Sequence, residues 1–435
     1  MRKLFLLVAM AALLLVTSVA LAQDKVTITI WHTYNEVSPE NDMLTNTLIP
    51  EFEKQNPDIT VNAVAYPYDG FRQALLTALA GGSGPDLARL DIIWSPEFAA
   101  QGVLAQLDTV MPDFKALADA DFPGSLSTNA YQGHYYGLPL DTNTRILIYN
   151  QEMLTKAGIA AAPKTMDEVS ADCDKVKTLG DGNFLFSDGG TSGWNVLPWI
   201  WSFGGDITDP TYTKATGYLN GPKTVAAMEF LAKMVSSGCF SDGFIGSGID
   251  TWGGYFGGTI GSMLEGPWLY PTAASQYPDF KVSAAVMPAG DGGSVSVVGG
   301  ENIVMFNTTP NQAAALKFLA FTQSQDYQLQ MSTVGQLTVQ PGLIATDYFK
   351  SHPYYPTFLE QLKTARARTP VPQWNAMEEI LTNAGQSILR GEMPAQDALD
   401  AAASQIDALL ATQATPEPIP TGELVTPEAA ATAAS

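Results

Sequence analysis

Between residues 26 and 93 the spacing of apolar residues switches repeatedly between two periods, and this constrains the fold more than any other feature of the chain. Residues 26–31 alternate apolar side chains with threonine, the pattern of a half-buried strand. Leu44, Leu48 and Phe52 then recur at helical spacing, and Asn56-Pro57-Asp58 ends that run. A second strand pattern, 59–64, precedes a helix carried by Phe71, Leu75 and Leu79; Gly81-Gly82-Ser83-Gly84-Pro85 stops it before a strand at 87–93. Strand and helix alternating in this way predict a mainly parallel sheet flanked by helices, with ligands beyond the carboxyl ends of the strands. Residues 31–34 and 91–94 sit at such ends.

Residues 135–150 run extended with few breakers, too long for one ordinary strand, and are expected to cross from one globular unit to another. Val225, Met228, Leu231 and Met234 predict a helix, residues 281–287 and 303–306 two strands, and a second crossing is expected near Pro288. Two amphipathic helices close the globular part: Met377, Ile380, Leu381, Ala384 and Ile388 mark one, and Leu399, Ala402, Ala403, Ile406 and Leu410 the other. Beyond Ala411 the chain turns to Pro, Thr, Ala and Glu with no aromatic residue to bury, which predicts a disordered tail over 412–435.

Arg2 and Lys3 precede an apolar run, and Ala20-Leu21-Ala22 offers small residues to a signal peptidase, so residues 1–22 read as a secretory signal. The run at 4–16 falls short of the ~20 residues that a spanning helix needs. A mature chain that is not an integral membrane protein is expected, periplasmic or otherwise extracytoplasmic. A lipoprotein would need a cysteine just after the cut, whereas the cysteines are Cys173 and Cys239. An oxidising compartment permits a disulfide between them, with two buried free thiols as the other reading. His32, His134 and His352 are isolated, so neither a metal nor any other cofactor is expected. A net charge of −22 sets the surface against nucleic acid, while a charged fraction of only 15% suits neutral, hydroxylated ligands.

Landmarks along the whole globular part carry a resemblance. They are Ile30-Trp-His-Thr-Tyr34, Phe52-Glu-Lys-Gln-Asn-Pro-Asp-Ile-Thr-Val61, Gly84-Pro-Asp86 and Gly102-Val-Leu-Ala-Gln-Leu-Asp108. Tyr136-Gly-Leu-Pro-Leu140, Leu147-Ile-Tyr-Asn150, Glu265-Gly-Pro-Trp268, Gly299-Gly-Glu301 and Pro372-Gln-Trp374 follow in order. Together they resemble the family 1 extracellular solute-binding proteins of ABC transporters, the group of the maltose- and trehalose/maltose-binding proteins. The resemblance implies a two-lobed α/β periplasmic-binding-protein fold joined by hinge crossings. The first lobe is expected at 23–141 plus 291–334 and the second at 142–290 plus 335–411. It further implies a monomer that closes on a small carbohydrate and docks on the transmembrane subunits of an ABC permease.

A sugar presents apolar CH faces and a rim of hydroxyls, so its site needs aromatic rings together with carboxylates and amides. The resemblance places Trp268 as a stacking platform and Trp194 and Trp374 near aromatics of the same use; the other reading of all three is core filling. His32, Tyr34 and Asn35 follow the opening strand, Asp69, Asp91 and Trp94 flank later strand ends, and Asn143 and Glu301 stand at the crossings. Each of these is a candidate for the hydroxyl rim, against ordinary roles as caps, turn closures or surface ion pairs. His32-Thr-Tyr-Asn35 stands where the maltose-binding protein has charged residues, so maltose specificity does not carry over.

Two other functions compete. A secreted glycoside hydrolase would need two carboxylates across a glycosidic bond, but no hydrolase motif is recognisable, and a nucleophilic serine enzyme would need a Gly-x-Ser-x-Gly elbow that is missing. A binding protein for a phosphorylated polyol would aim Arg72, Arg89 or Arg145 at the phosphate.

Overall fold

A computed structural model describes residues 25–412. The expected signal at 1–22 and the expected tail beyond Thr412 lie outside the described residues.

The opening pattern folds as read. Strands β1 (Val26–His32), β2 (Ile59–Ala65) and β3 (Leu87–Asp91) pair in parallel in the order β2-β1-β3. Every residue of β3 is buried, as a central strand covered on both faces requires. Leu44, Leu48 and Phe52 are all buried on one helical run from Pro39 to Gln55. Its middle, Leu44–Leu48, widens to π geometry. Ser38 caps the run by accepting from the Asn41 amide at 3.2 Å.

After a short hairpin, β4 (Ala130–Tyr131) and β5 (His134–Tyr135), the extended stretch resolves into β6 (Gly137–Thr144) and β7 (Ile146–Tyr149), with Arg145 alone between them. β6 completes the first sheet and β7 belongs to a second. That second sheet has the order β8-β7-β9, where β8 is Ser262–Glu265 and β9 is Ser283–Ala285. The chain then returns to the first sheet as β10 (Val298–Met305), placed between β3 and β6.

Each sheet contains one strand that runs against the rest, and in both it follows a crossing. β10 is antiparallel to β3 and β6; β7 is antiparallel to β8 and β9. Single parallel bridges, Phe184 to Ile260 and Phe186 to Phe240, extend the second sheet beyond β8. The architecture is therefore two α/β lobes, mainly parallel in strand direction, joined by crossings.

Helices sandwich both sheets. Ile28, Leu48, Phe52, Leu87, Ile303 and Phe318 pack one face of the first sheet. The core of the second lobe holds Phe186, Trp199, Met228, Leu231 and Phe240, with Met377, Leu381, Leu399 and Ile406 of the closing helices Trp374–Leu389 and Ala395–Leu410. Cys173, on the helix Met166–Lys177, is bonded to Cys239, just after the helix Pro222–Ser236; their Cα atoms are 5.3 Å apart.

Asp121 is a buried carboxylate with no hydrogen-bond partner within the protein at either oxygen, and burial pushes its pKa up to about 8. An acid raised in the fold keeps its proton there after the unfolded chain has lost it, so stability falls as pH rises from about 4 through about 8. Asp121→Asn should therefore raise stability at pH 8 by about 2 kcal/mol after water entry has relaxed the burial, and change little at pH 4. Urea titrations of both proteins across that range test this; parallel pH profiles would contradict it.

Candidate functional site

The carboxyl ends of β1 and β3 meet the start of β10 and the end of β6 in one buried polar wall. Asp91, Glu301 and Asp141 stand side by side in register across β3, β10 and β6, and Asn143 faces Gly299 one step further on. Arg89 organises this wall. Its guanidinium lies 2.7 Å from Glu301 Oε2 and 3.3 Å from Asp141 Oδ2, donates to Thr33 Oγ1 at 2.8 Å, and covers the Tyr34 ring at 4.2 Å. Burial pulls the Arg89 pKa down, but the surrounding Glu301, Tyr34, Asp141 and Glu40 more than reverse that, so it stays charged.

Burial, reinforced by Asp141, pushes Glu301 well above the usual carboxylate range despite Arg89. His32 is lowered to about 4 by burial and then by Arg89, and is neutral at physiological pH. Both His32 ring nitrogens, Tyr34 OH, Asp141 Oδ1 and Asn143 Oδ1 are buried without a hydrogen-bond partner within the protein. Orphaned polar atoms are costly, so their concentration in one wall makes it the candidate site.

The opposite wall is aromatic. Trp268, just after β8, and Trp194, in the first turn of the helix Gly193–Ser202, are half-buried, with ring centroids 6.4 Å apart at 27°. Trp268 folds back over Gly266, where a Cβ would meet its indole at 2.2 Å. Trp194 reaches across to the first lobe: a Cβ on Gly299 would lie 2.8 Å from its ring. The neighbouring Gly300 adopts φ +134°, and a Cβ there would meet the Asp141 carbonyl at 2.4 Å. The Gly299-Gly300 pair thus lets β10 bend past both β6 and Trp194. Beneath Trp194, Arg145 donates to Asp188 Oδ1 at 2.8 Å, Asn195 Oδ1 at 2.9 Å, and the carbonyls of Trp194 and Leu264 at 3.0 and 2.6 Å, which fixes the crossing.

Direct contacts join the walls at the end of β3. Asp91 accepts from Tyr68 OH at 2.7 Å and from Arg368 at 3.3 Å. Trp94 stacks on Tyr68 with centroids 5.1 Å apart and donates to Asn375 Oδ1 at 3.1 Å.

Eight of the sequence candidates thus come together: His32, Tyr34, Asp91, Trp94, Asn143, Glu301, Trp194 and Trp268. Three do not. Asn35 is exposed and closes a turn, accepting from the Val37 amide at 3.1 Å. Asp69 is exposed at the kinked start of the helix Tyr68–Ala80, beside Gly70 at φ 90°. Trp374 is 1% exposed and packs on Gly193, so core filling is the role this structure gives it. Sequence reasoning passed over Asp141, Tyr68, Arg368 and Asn375, and weighed Arg89 only as a phosphate ligand. Arg89 and Asp141 carried a signal, since each puts a charged side chain into a fully buried strand.

Two hinged α/β lobes, one lined with buried polar groups and the other with stacked indoles, define a protein that captures a small molecule between them. The chain belongs to the bacterial extracellular solute-binding proteins, whose family model matches residues 47–357. A putative binding protein of Brucella abortus (strain 2308) is 30% identical over 369 residues, covering 82% of this chain and 88% of its own length. The GacH receptor of Streptomyces glaucescens shares the fold, with a TM-score of 0.80 at 23% identity over 90% of this chain and 100% of the receptor. An ABC transporter solute-binding protein of Thermotoga lettingae, bound with α-D-tagatose, has a TM-score of 0.79 at 25% identity, covering 89% of this chain and 100% of that one.

Proposed function

We propose that the chain captures a neutral sugar outside the cytoplasmic membrane and delivers it, as a monomer, to the transmembrane subunits of an ABC importer. The observation that carries this reading is the pairing of the Trp194–Trp268 stack with the opposing wall of buried, unpartnered polar atoms. Indole faces suit the CH faces of a pyranose, and the His32, Tyr34, Asp141 and Asn143 atoms suit its hydroxyls. The solved relatives support it: the Thermotoga lettingae protein is described with tagatose, and the GacH receptor with acarbose. Secretion by the signal at 1–22 fits this role, as does closure of the lobes 23–141 plus 291–334 and 142–290 plus 335–411. No helix among the described residues is long and apolar enough to cross a membrane.

The arginines that a phosphorylated polyol would need are already engaged. Arg89 faces Asp141 and Glu301, Arg145 faces Asp188, and Arg72 is paired with Glu97. A phosphate would have to displace these carboxylates, so a neutral ligand is favoured.

A thermal-shift screen against neutral sugars and phosphate esters tests the reading, since only ligands of the native state raise the midpoint. Trp268→Ala should then weaken binding of the responding sugar by at least ~2 kcal/mol, about thirty-fold, while its half-buried position spares the fold. Unchanged affinity in that variant would remove Trp268 from the platform.

A further inference from the structure

We propose that Glu265 is a positioning residue for the Trp268 platform, holding the turn under the indole from a fixed anchor at Trp252; this rests on the platform reading above. Glu265 ends β8 opposite Ile146, the first residue after the crossing at Arg145, and its half-buried side chain uses both carboxyl oxygens. Oε1 accepts from the Gly266 amide at 2.8 Å and Oε2 from Trp252 Nε1 at 2.7 Å. Two donors on two oxygens fix both the position and the plane of the group.

Trp252 is a firm anchor because its own helix, Thr251–Gly257, is held at its start. Asp250 Oδ1 accepts from the Gly253 amide at 2.9 Å, and Thr251 Oγ1 lies 2.9 Å from Ser187 Oγ. The Trp252 ring also packs edge-on against Phe256, with centroids 6.3 Å apart at 74°. At the other end of the clamp, the Gly266 peptide is the floor on which the Trp268 indole lies, since even a methyl group there would overlap the ring. From the far side, Gly335 adopts φ +105°, and a Cβ on it would stand 3.1 Å from Trp268 Cα. The turn is thus held between the Glu265 carboxylate and the Gly335 backbone, and the indole is oriented before ligand arrives. A side chain already ordered loses less freedom on binding, so the clamp contributes to affinity without touching sugar.

Two readouts test this. The Trp194–Trp268 stack should give an exciton couplet in the circular dichroism of the ligand-free protein, measured as the difference between each protein and the same protein carrying Trp268→Ala. Glu265→Ala should lose most of that couplet, and Trp252→Phe, which keeps a ring but deletes the indole N–H, a smaller share. A full couplet in both variants overturns the proposal. Calorimetry with glucose, galactose, maltose, tagatose and N-acetylglucosamine supplies the second readout. With the sugar that binds wild type most tightly, Glu265→Ala should weaken affinity about fivefold to tenfold, yet less than about twofold when Trp268→Ala is already present. Equal weakening in both backgrounds overturns the proposal, because Glu265 would then act on ligand directly. Where Glu265→Ala does not fold, Trp252→Phe carries both readouts, with smaller changes in the same direction. A wild type that binds none of these sugars defeats the carbohydrate reading, and the platform with it, even where the couplet shows Glu265 holding the ring; the two failures are thereby told apart.

Discussion

Arg89→Met should lower the stability of the protein by about 3–5 kcal/mol at neutral pH, measured as the shift of a urea unfolding curve. Arg89, Asp141 and Glu301 have side-chain exposures of 7%, 3% and 12%, so the substitution leaves two buried carboxylates facing each other without a cation. The methionine fills much of the volume, and the loss is therefore electrostatic rather than a cavity. Glu301 already leans toward its protonated form because it is buried and lies beside Asp141, so lowering the pH should recover part of the loss. Adding Asp141→Asn and Glu301→Gln should recover most of it at neutral pH. A loss below about 1 kcal/mol in the single variant would mean that the wall does not depend on its central charge.

Removing the Cys173–Cys239 bond should cost about 4 kcal/mol. The bond spans a sequence separation of 66, and loop-closure entropy of that size accounts for the figure. Both cysteines are buried, at 3% and 1% exposure, so the Cys173→Ala/Cys239→Ala variant loses a little packing as well. Unfolding of the oxidised protein, the reduced protein and the variant should separate the cross-link from the packing. Peptide mapping that recovers both thiols free from the secreted protein would contradict the bond, and a variant within about 1 kcal/mol of wild type would contradict its weight.

The first lobe was the more legible in sequence, because its elements carry local signals. β1 alternates, β3 is a short apolar run bounded by Gly-Pro and an aspartate, and the intervening helices stop at Asn-Pro and Gly-Gly. The length of the extended stretch 135–150 also showed that it could not stay in one sheet, although its division at Arg145 was not visible. β10 was read only over its apolar end, 303–306; its first half, Val298-Gly-Gly-Glu301, takes strand form because β3 and β6 pair with it from both sides. A glycine-rich segment states no preference of its own, and tertiary pairing decided it.

The candidate site was legible where chemistry coincided with a strand end, as at His32 and Asp91. It was hidden where the partner is distant in sequence. Nothing near Arg368 announces Asp91, and nothing near Asn375 announces Trp94, because these contacts exist only once the lobes face each other. Trp374 shows the converse: an aromatic in a suggestive position became core because glycine at 193 leaves room for its ring. Asn35 and Asp69 went to turn and kink for the usual reason that short polar side chains compete for local backbone.

The central claim is that the cleft holds an uncharged sugar, and calorimetry of the wild-type chain at low and high ionic strength tests it most directly. The account predicts saturable binding of at least one neutral sugar, with an affinity that changes by less than about twofold between the two salts, since no ligand charge is screened. A chain that ignores every neutral sugar yet binds a phosphate ester, and binds it more weakly as salt rises, would contradict it.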